Sequence, residues 1–218
     1  MTDKLESMSP GESILAWFQA NNRTMGIVGG VAAIAAASTW FYLRSAEIKR
    51  LNAERGLSQA RQSMSAGNSA LAATDLQRVA TRYVGTPGGV QAAILLAHVN
   101  YDQAKHVEGL KALEPYQGAR AAGQLLPDVL SLVGDGQIAL GKGDDAVVSY
   151  RKAVEATRLP GAKAVIKAKL ARALMAAGKD IEARAVWEQL AADPDASVVK
   201  GEAKIRLGEL ATRPAGKS

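Results

Sequence analysis

The sequence predicts an all-α protein, with an N-terminal transmembrane helix followed by a solenoid of helical hairpins, and three observations carry that prediction. An uncharged run near the N-terminus is long enough to cross a bilayer. Small residues recur every 37 positions through the rest of the chain. Sheet-forming patterns are missing, since only 5% of the 218 residues are aromatic, alanine is the commonest residue, and Val, Ile and Thr form no long alternating runs.

Composition narrows the chemistry. With no cysteine there are no disulfides, thiol nucleophiles or cysteine-ligated metals, and two histidines leave little for imidazole chemistry. The 27 Lys and Arg outnumber 21 Asp and Glu, giving a formal charge of +6, but both signs are interspersed along the chain. An interspersed surface gives no concentrated field for a phosphate backbone, so no nucleic-acid partner is expected.

In chain order, residues 1–23 read as a leader. Ser9, Pro10 and Glu12 have the order of an N-cap, first helical position and capping glutamate, starting a short interfacial helix that carries Ile14, Leu15, Trp17 and Phe18. Residues 24–43 form the transmembrane helix, bracketed by Arg23 and Arg44; at ~1.5 Å per residue they cover about 30 Å. Trp17, Trp40, Phe41 and Tyr42 sit where aromatic rings favour the headgroup level. Ala35, Ala36 and Ala37 before Ser38 offer a signal-peptidase pattern, but Asp3, Glu6 and Glu12 in the leader favour an uncleaved anchor. Gly26, Gly29, Gly30, Ala33 and Ala37 form small-residue rows suited to close helix packing within the membrane. Around the span, Lys4 and Arg23 precede it while Arg44, Lys49, Arg50, Arg55 and Arg61 follow, a count that favours a cytoplasmic C-terminus.

Residues 44–214 read as the repeat domain and 215–218 as a tail. Gly67, Ala104, Gly141 and Gly178 are spaced by 37, and seven residues before them stand Ala60, Ala97, Gly134 and Ala171, a series whose fifth step reaches Gly208. Five residues after the turn series come Ala72, Gly109, Ala146 and Ala183, and nine after it Leu76, Leu113, Tyr150 and Trp187. This spacing gives a helix, a tight turn and a second helix packed back on the first, with small residues where the backbones meet. One hairpin cannot bury its own apolar face, so about four stack and a helix over 198–212 caps them. Pro87, Pro160 and Pro194 fall between hairpins. Pro115 shortens the second hairpin, and 118–126 adds sequence outside the period.

Two resemblances follow from these residues. The run Gly178, Lys179, Asp180, Ile181, Glu182, Ala183, Arg184, Ala185, Val186, Trp187 resembles the turn and second helix of a tetratricopeptide repeat, and Gly134, Gly141, Ala146, Tyr150 and Ala153 match in the preceding unit. The leader with Trp17, Phe18 and Asn21, the Gly-rich span ending in Trp40, Phe41 and Tyr42, and then degenerate repeats are together similar to the YfgM family of ancillary Sec-translocon subunits. That resemblance implies a single-pass protein of the bacterial inner membrane with a periplasmic repeat domain, associated with the translocon and periplasmic chaperones, and without catalytic residues. It opposes the orientation that the arginine count favours. A short leader of mixed charge is readily retained in the cytoplasm, and basic residues within a folded domain weaken as topology signals, so the periplasmic placement is the expectation.

No reaction is expected. Gly134, Gly136 and Gly141 lack nucleotide-loop spacing, and Lys142 is followed by Gly143 where a phosphate loop needs Ser or Thr. His98 and Asp102 lie one turn apart but lack a third metal ligand. Catalytic residues, metal ligands, cofactors and a small-molecule substrate are therefore all expected to be absent. The expected working surface is the concave face, with Gln91, His98, Tyr101, Asp128, Asp135 and Arg172 lining a partner-binding groove for an extended peptide or a helix; Lys163, Lys167 and Arg172 occupy adjacent turns of one helix, as a solvated face does more often than a basic patch. The expected function is a noncatalytic, membrane-anchored scaffold docking on protein subunits of an inner-membrane complex and on the lipid bilayer through its span. The alternative is an accessory subunit of another respiratory, photosynthetic or cell-envelope complex.

Overall fold

The computed structural model describes residues 22–212, with side chains from Gly26 onward. The interfacial helix expected around Ser9 to Phe18 and the tail at 215–218 lie outside the described residues. The described residues are helical, connected by short turns: α1 (Asn22–Ser65), α2 (Ser69–Arg82), α3 (Pro87–Asp102), α4 (His106–Leu113), α5 (Ala119–Ala122), α6 (Leu126–Ala139), α7 (Gly143–Ala156), α8 (Pro160–Ala176), α9 (Asp180–Ala192) and α10 (Ser197–Thr212). Contacts divide the chain into Met1–Ile48 and Lys49–Ser218.

In the first unit, the described side chains of α1 have no protein cover. Ile27, Val31, Ile34, Trp40, Phe41 and Tyr42 are all more than 60% exposed. This stretch lies in the one described helix that is long and apolar enough to cross a membrane.

The second unit is a solenoid of antiparallel hairpins. Residues 49–65 of α1 lead into α2, followed by the pairs α3 and α4, α6 and α7, and α8 and α9, and α10 packs on α9 and α8. Each hairpin closes through the same bonds. The turn residue donates to a carbonyl three residues back, and its successor to one five back: Gly141 to Ile138 at 2.9 Å with Lys142 to Gln137 at 2.8 Å, and Ala104 to Tyr101 at 2.9 Å with Lys105 to Asn100 at 2.8 Å. This requires a left-handed backbone, and φ is +75° at Gly67, +57° at Ala104, +72° at Gly141 and +73° at Gly178. Among the described residues Ala104 alone adopts it with a Cβ.

The small positions mark close approach. A Cβ on Gly134 would lie 2.6 Å from Tyr150 Cε1, and one on Gly56 would lie 2.6 Å from Val79 Cγ2. Ala60, Ala97 and Ala171 are fully buried, as are Leu76, Leu113 and Trp187. Two apolar clusters result, one spanning Ala53 to Val133 and one Leu130 to Leu210, and Leu126 packs against both. Pro87 and Pro160 open α3 and α8, where no amide donor is needed, and Thr86 caps α3 by accepting the Gly89 amide at 3.1 Å. Pro194 opens a 3-10 turn ahead of α10.

The second hairpin departs from the period as expected. Helix α4 stops at Leu113, and a 3-10 turn through Pro115 carries the chain to Tyr116. Tyr116 is buried, and its hydroxyl donates to the Ala80 carbonyl at 2.5 Å. One expectation needs correction: Gly208, the fifth small step, is exposed and meets nothing among the described residues. Ala60, Ala97 and Ala171 are buried and Gly134 meets Tyr150 on the helix that follows it, but no described helix follows α10.

Two measurements test this register. Ala104→Gly removes the left-handed strain and should raise stability by about 1 kcal/mol in chemical denaturation; no gain would show that the turn is relaxed. Ala171→Leu should cost roughly 1 to 3 kcal/mol by overpacking, whereas Lys163→Ala should cost under about 0.5 kcal/mol. Equal thermal shifts for these two would sink the assigned periodicity.

Candidate interaction groove

Along the first helices of successive hairpins, residues spaced by 37 present one face, and between α1, α3, α6 and α8 that face forms a concavity of about 400 Å³. Its floor is apolar, from Ile94, Leu95, Leu125 and Leu132, and its rims are polar. Arg61 and His98 stand on one side, with the Arg61 guanidinium donating to Gln91 Oε1 at 2.8 Å. Asp128, Ser131 and Asp135 stand on the other. A second concavity of about 200 Å³ continues past Asp135 and Lys169 along Ile138, Tyr150 and Arg172.

The waist between the two is a bonded cluster. Tyr150 donates to Asp135 Oδ1 at 2.7 Å, and Lys169 Nζ donates to Asp135 Oδ2 at 2.6 Å and to Ser131 Oγ at 3.1 Å. One carboxylate thus joins α6, α7 and α8. Its charge is met by Lys169, so the negative charge left to face a ligand on this rim is chiefly that of exposed Asp128.

Of the residues expected to line the groove, Gln91, His98, Asp128 and Asp135 come together in the larger concavity. Arg172 lies in the smaller one, and its Nε donates to Glu202 Oε1 at 2.8 Å. Tyr101 is a correction, because its ring is packed between helices and lines neither concavity. Gly109 and Gly136 have no Cβ and leave a slot for the ring; a Cβ on Gly136 would come within 2.8 Å of Tyr101 Cζ. Its hydroxyl donates to the Leu132 carbonyl at 3.0 Å. Lys169 and Leu125 escaped the sequence projection. Lys169 sits one turn before Arg172 and Leu125 belongs to the segment outside the period, so repeat spacing marked neither. Lys167 reaches towards Gln189 and Arg172 towards Glu202, so the basic residues of α8 do not act as one patch.

A Cβ on Gly26, Gly29 or Gly30 would meet nothing within 4 Å, and Ala33 and Ala37 are exposed, so no described residue packs on that row. Among the described residues no group of three or more His, Asp or Glu is placed to hold a metal.

The profile of the tetratricopeptide repeat-like domain family matches residues 49–176. No curated protein matches the sequence. Among solved structures, the chain is similar to the nearly identical TPR-like repeats of a protein described as a kinesin light chain of Podosopora anserina, at TM-score 0.57 and 19% identity, covering 74% of this chain and 85% of that one. A methionine-substituted form of those repeats gives TM-score 0.54 and 20% identity, covering 75% and 93%. At such identities the likeness establishes the fold.

The buried tyrosines add a pH dependence. Burial pushes the Tyr116 hydroxyl up to about 12. Burial first, and then the Asp135 carboxylate, raises Tyr101 and Tyr150 well above the ordinary phenol range. The unfolded chain releases these protons near pH 10 while the folded chain holds them, so their stabilisation is complete below about pH 10 and is lost as pH climbs further. The denaturation midpoint should therefore fall between about pH 10 and 12, and Tyr116→Phe should flatten part of that fall. A midpoint constant through this window would contradict the tyrosine environments.

Proposed function

The chain belongs to the tetratricopeptide repeat-like domain family, and from that premise we propose that it is a noncatalytic interaction scaffold anchored in the bacterial inner membrane, with its repeats in the periplasm. Repeats of this kind stack into extended concave surfaces suited to protein partners, and the fold makes this chain a protein-interaction scaffold in the general sense. The observation that carries the membrane reading is the row of uncovered apolar side chains on α1 between Ile27 and Leu43. Water penalises such a surface and lipid does not.

On this reading residues 1–23 are a cytoplasmic leader, 24–43 the span, 44–214 the repeat domain and 215–218 a tail. The partner is an inner-membrane protein complex, with the Sec translocon and periplasmic chaperones as first candidates through the YfgM-like order of segments. Gln91, His98, Asp128 and Asp135 face the partner in the groove, and Arg172 does so further along. Gly26, Gly29, Gly30, Ala33 and Ala37 offer the bare helix face within the bilayer, where close backbone approach gains dispersion contacts that lipid tails supply poorly.

A reporter active only in the cytoplasm, fused after Ser218, should be silent; strong activity would reverse the orientation in favour of the arginine count. Purification in mild detergent should bring translocon subunits with the chain, and Gly30→Leu should deplete them while leaving membrane insertion intact. Retention of the same subunits by Gly30→Leu, together with their loss on Asp128→Lys, would confine recognition to the groove.

A further inference from the structure

The end of the solenoid carries an uncovered face. In the first hairpin Ala53, Leu57 and Ala60 are 0 to 1% exposed, and in the fourth the residues at the same registers, Ala164, Ala168 and Ala171, are 0 to 3% exposed. One further period falls on Gly201, Ile205 and Gly208 of α10, where Ile205 is 65% exposed and both glycines are open to solvent. Val198, on the same side, is 84% exposed. The opposite side of α10, with Val199, Ala203 and Leu210, is buried in the domain. Thus the face that is buried in the first and fourth hairpins is bare on α10 among the described residues, whereas in the second and third the Ile205 register places Ile94 and Ser131 in the groove.

We propose that this face is a homodimer surface, occupied by α10 of a second copy of the chain running parallel to the first. The residues Val198, Gly201, Ile205, Gly208 and Thr212 are spaced three, four, three and four apart, the repeat that holds two helices in register along one seam. The charges beside the seam choose the occupant. Lys200 and Lys204 lie on one flank and Glu202 and Glu209 on the other. An antiparallel pair would set lysine against lysine and glutamate against glutamate. A two-fold axis along the helix sets Lys204 of each copy against Glu209 of the other, five residues on, which is the pairing that fixes orientation in parallel two-helix seams. Arg206 already bonds Glu209 at 2.8 Å and can remain bonded, because it lies on the domain side of that carboxylate. Gly201 and Gly208 permit a short distance between axes, and tethering both copies to one membrane would raise the effective concentration of a seam this short.

The chain has no cysteine, which allows a clean test on the full-length protein. In a parallel seam each stripe residue meets its own copy, so Gly208→Cys should form a disulfide-linked species of twice the chain mass in mild detergent, whereas Lys152→Cys on exposed α7 should not. Both are exposed helical sites, and a Cβ at Gly208 meets nothing within 4 Å, so folding is preserved. Adding Ile205→Glu should reduce the Gly208→Cys cross-link on the order of tenfold, and Ile205→Leu should retain it. Cross-linking no better than that of Lys152→Cys would overturn the proposal. So would an adduct with a different polypeptide, or a Gly208→Cys thiol shielded from a maleimide by the residues after Thr212. A Val198→Cys and Thr212→Cys mixture that links more readily than either alone would show an antiparallel pair and overturn the parallel arrangement.

Discussion

The domain depends on two helix backbones coming close together where the side chains are smallest. At Gly134 the facing ring of Tyr150 occupies the space a Cβ would need, and at Gly56 the same is true of Val79. Once these contacts fix the distance within a hairpin, larger residues nine positions after each turn have one place to go, the layer between its helices. Trp187 and Tyr150 fill it in the last two hairpins and Leu76 and Leu113 in the first two, all almost completely buried. Size differences are absorbed by exchange across the layer, as when the tyrosine of the third hairpin meets a glycine at a position held by alanine in the other three hairpins. A packed interior tolerates such volume-conserving trades far better than uncompensated growth.

The groove is a product of the same repetition. Helices related by a constant step present the same face repeatedly, so residues 37 apart line one surface without any sequence motif for a site. Polar groups on that surface largely bond one another, with Asp135 to Lys169 and Tyr150, Arg61 to Gln91, and Arg172 to Glu202. Satisfied groups hold the shape of the surface but give little net attraction for a ligand, because a competing bond must first be lost. For a partner of the kind proposed, the apolar floor formed by Ile94, Leu95 and Leu132 would supply most of the binding energy, and exposed Asp128 and His98 the discrimination. This balance suits a protein segment with an apolar stripe.

How much of this was legible in the sequence depended on what each residue encodes. The turn series was visible because left-handed backbone favours glycine, and even Ala104, which carries no such signal alone, was placed by its spacing. The buried layer was visible through side-chain size. Tyr101, an aromatic at a concave register, reads from the sequence as a groove residue, because nothing local signals that Gly109 and Gly136, from two other helices, leave a slot for its ring. Lys169 carries no local signal for a related reason: its place in the groove depends on Asp135, 34 residues earlier on a different helix. Leu125 stands in a segment with no equivalent elsewhere in the chain, so periodicity had no bearing on it. Local spacing therefore located backbone geometry well and cross-helix polar pairing poorly.

A solenoid has ends, and its periodic chemistry does not stop when its helices do. Gly208 keeps the small size that its register requires in four earlier hairpins, although no described helix presses on it. In a terminal helix that serves only as a cap, the outward face gains by becoming polar, since exposed Val and Ile promote association and helical glycines cost about 1 kcal/mol each relative to alanine. Helix α10 is polar along its flanks but not along its centre, where Val198 and Ile205 stand in the open beside two glycines. The first unit shows the same physical pattern in a different setting, with glycines and uncovered apolar side chains along one helix. Within each unit, the surface least explained by intramolecular packing combines bare backbone with exposed hydrocarbon, and such surfaces gain stability when something outside the chain covers them.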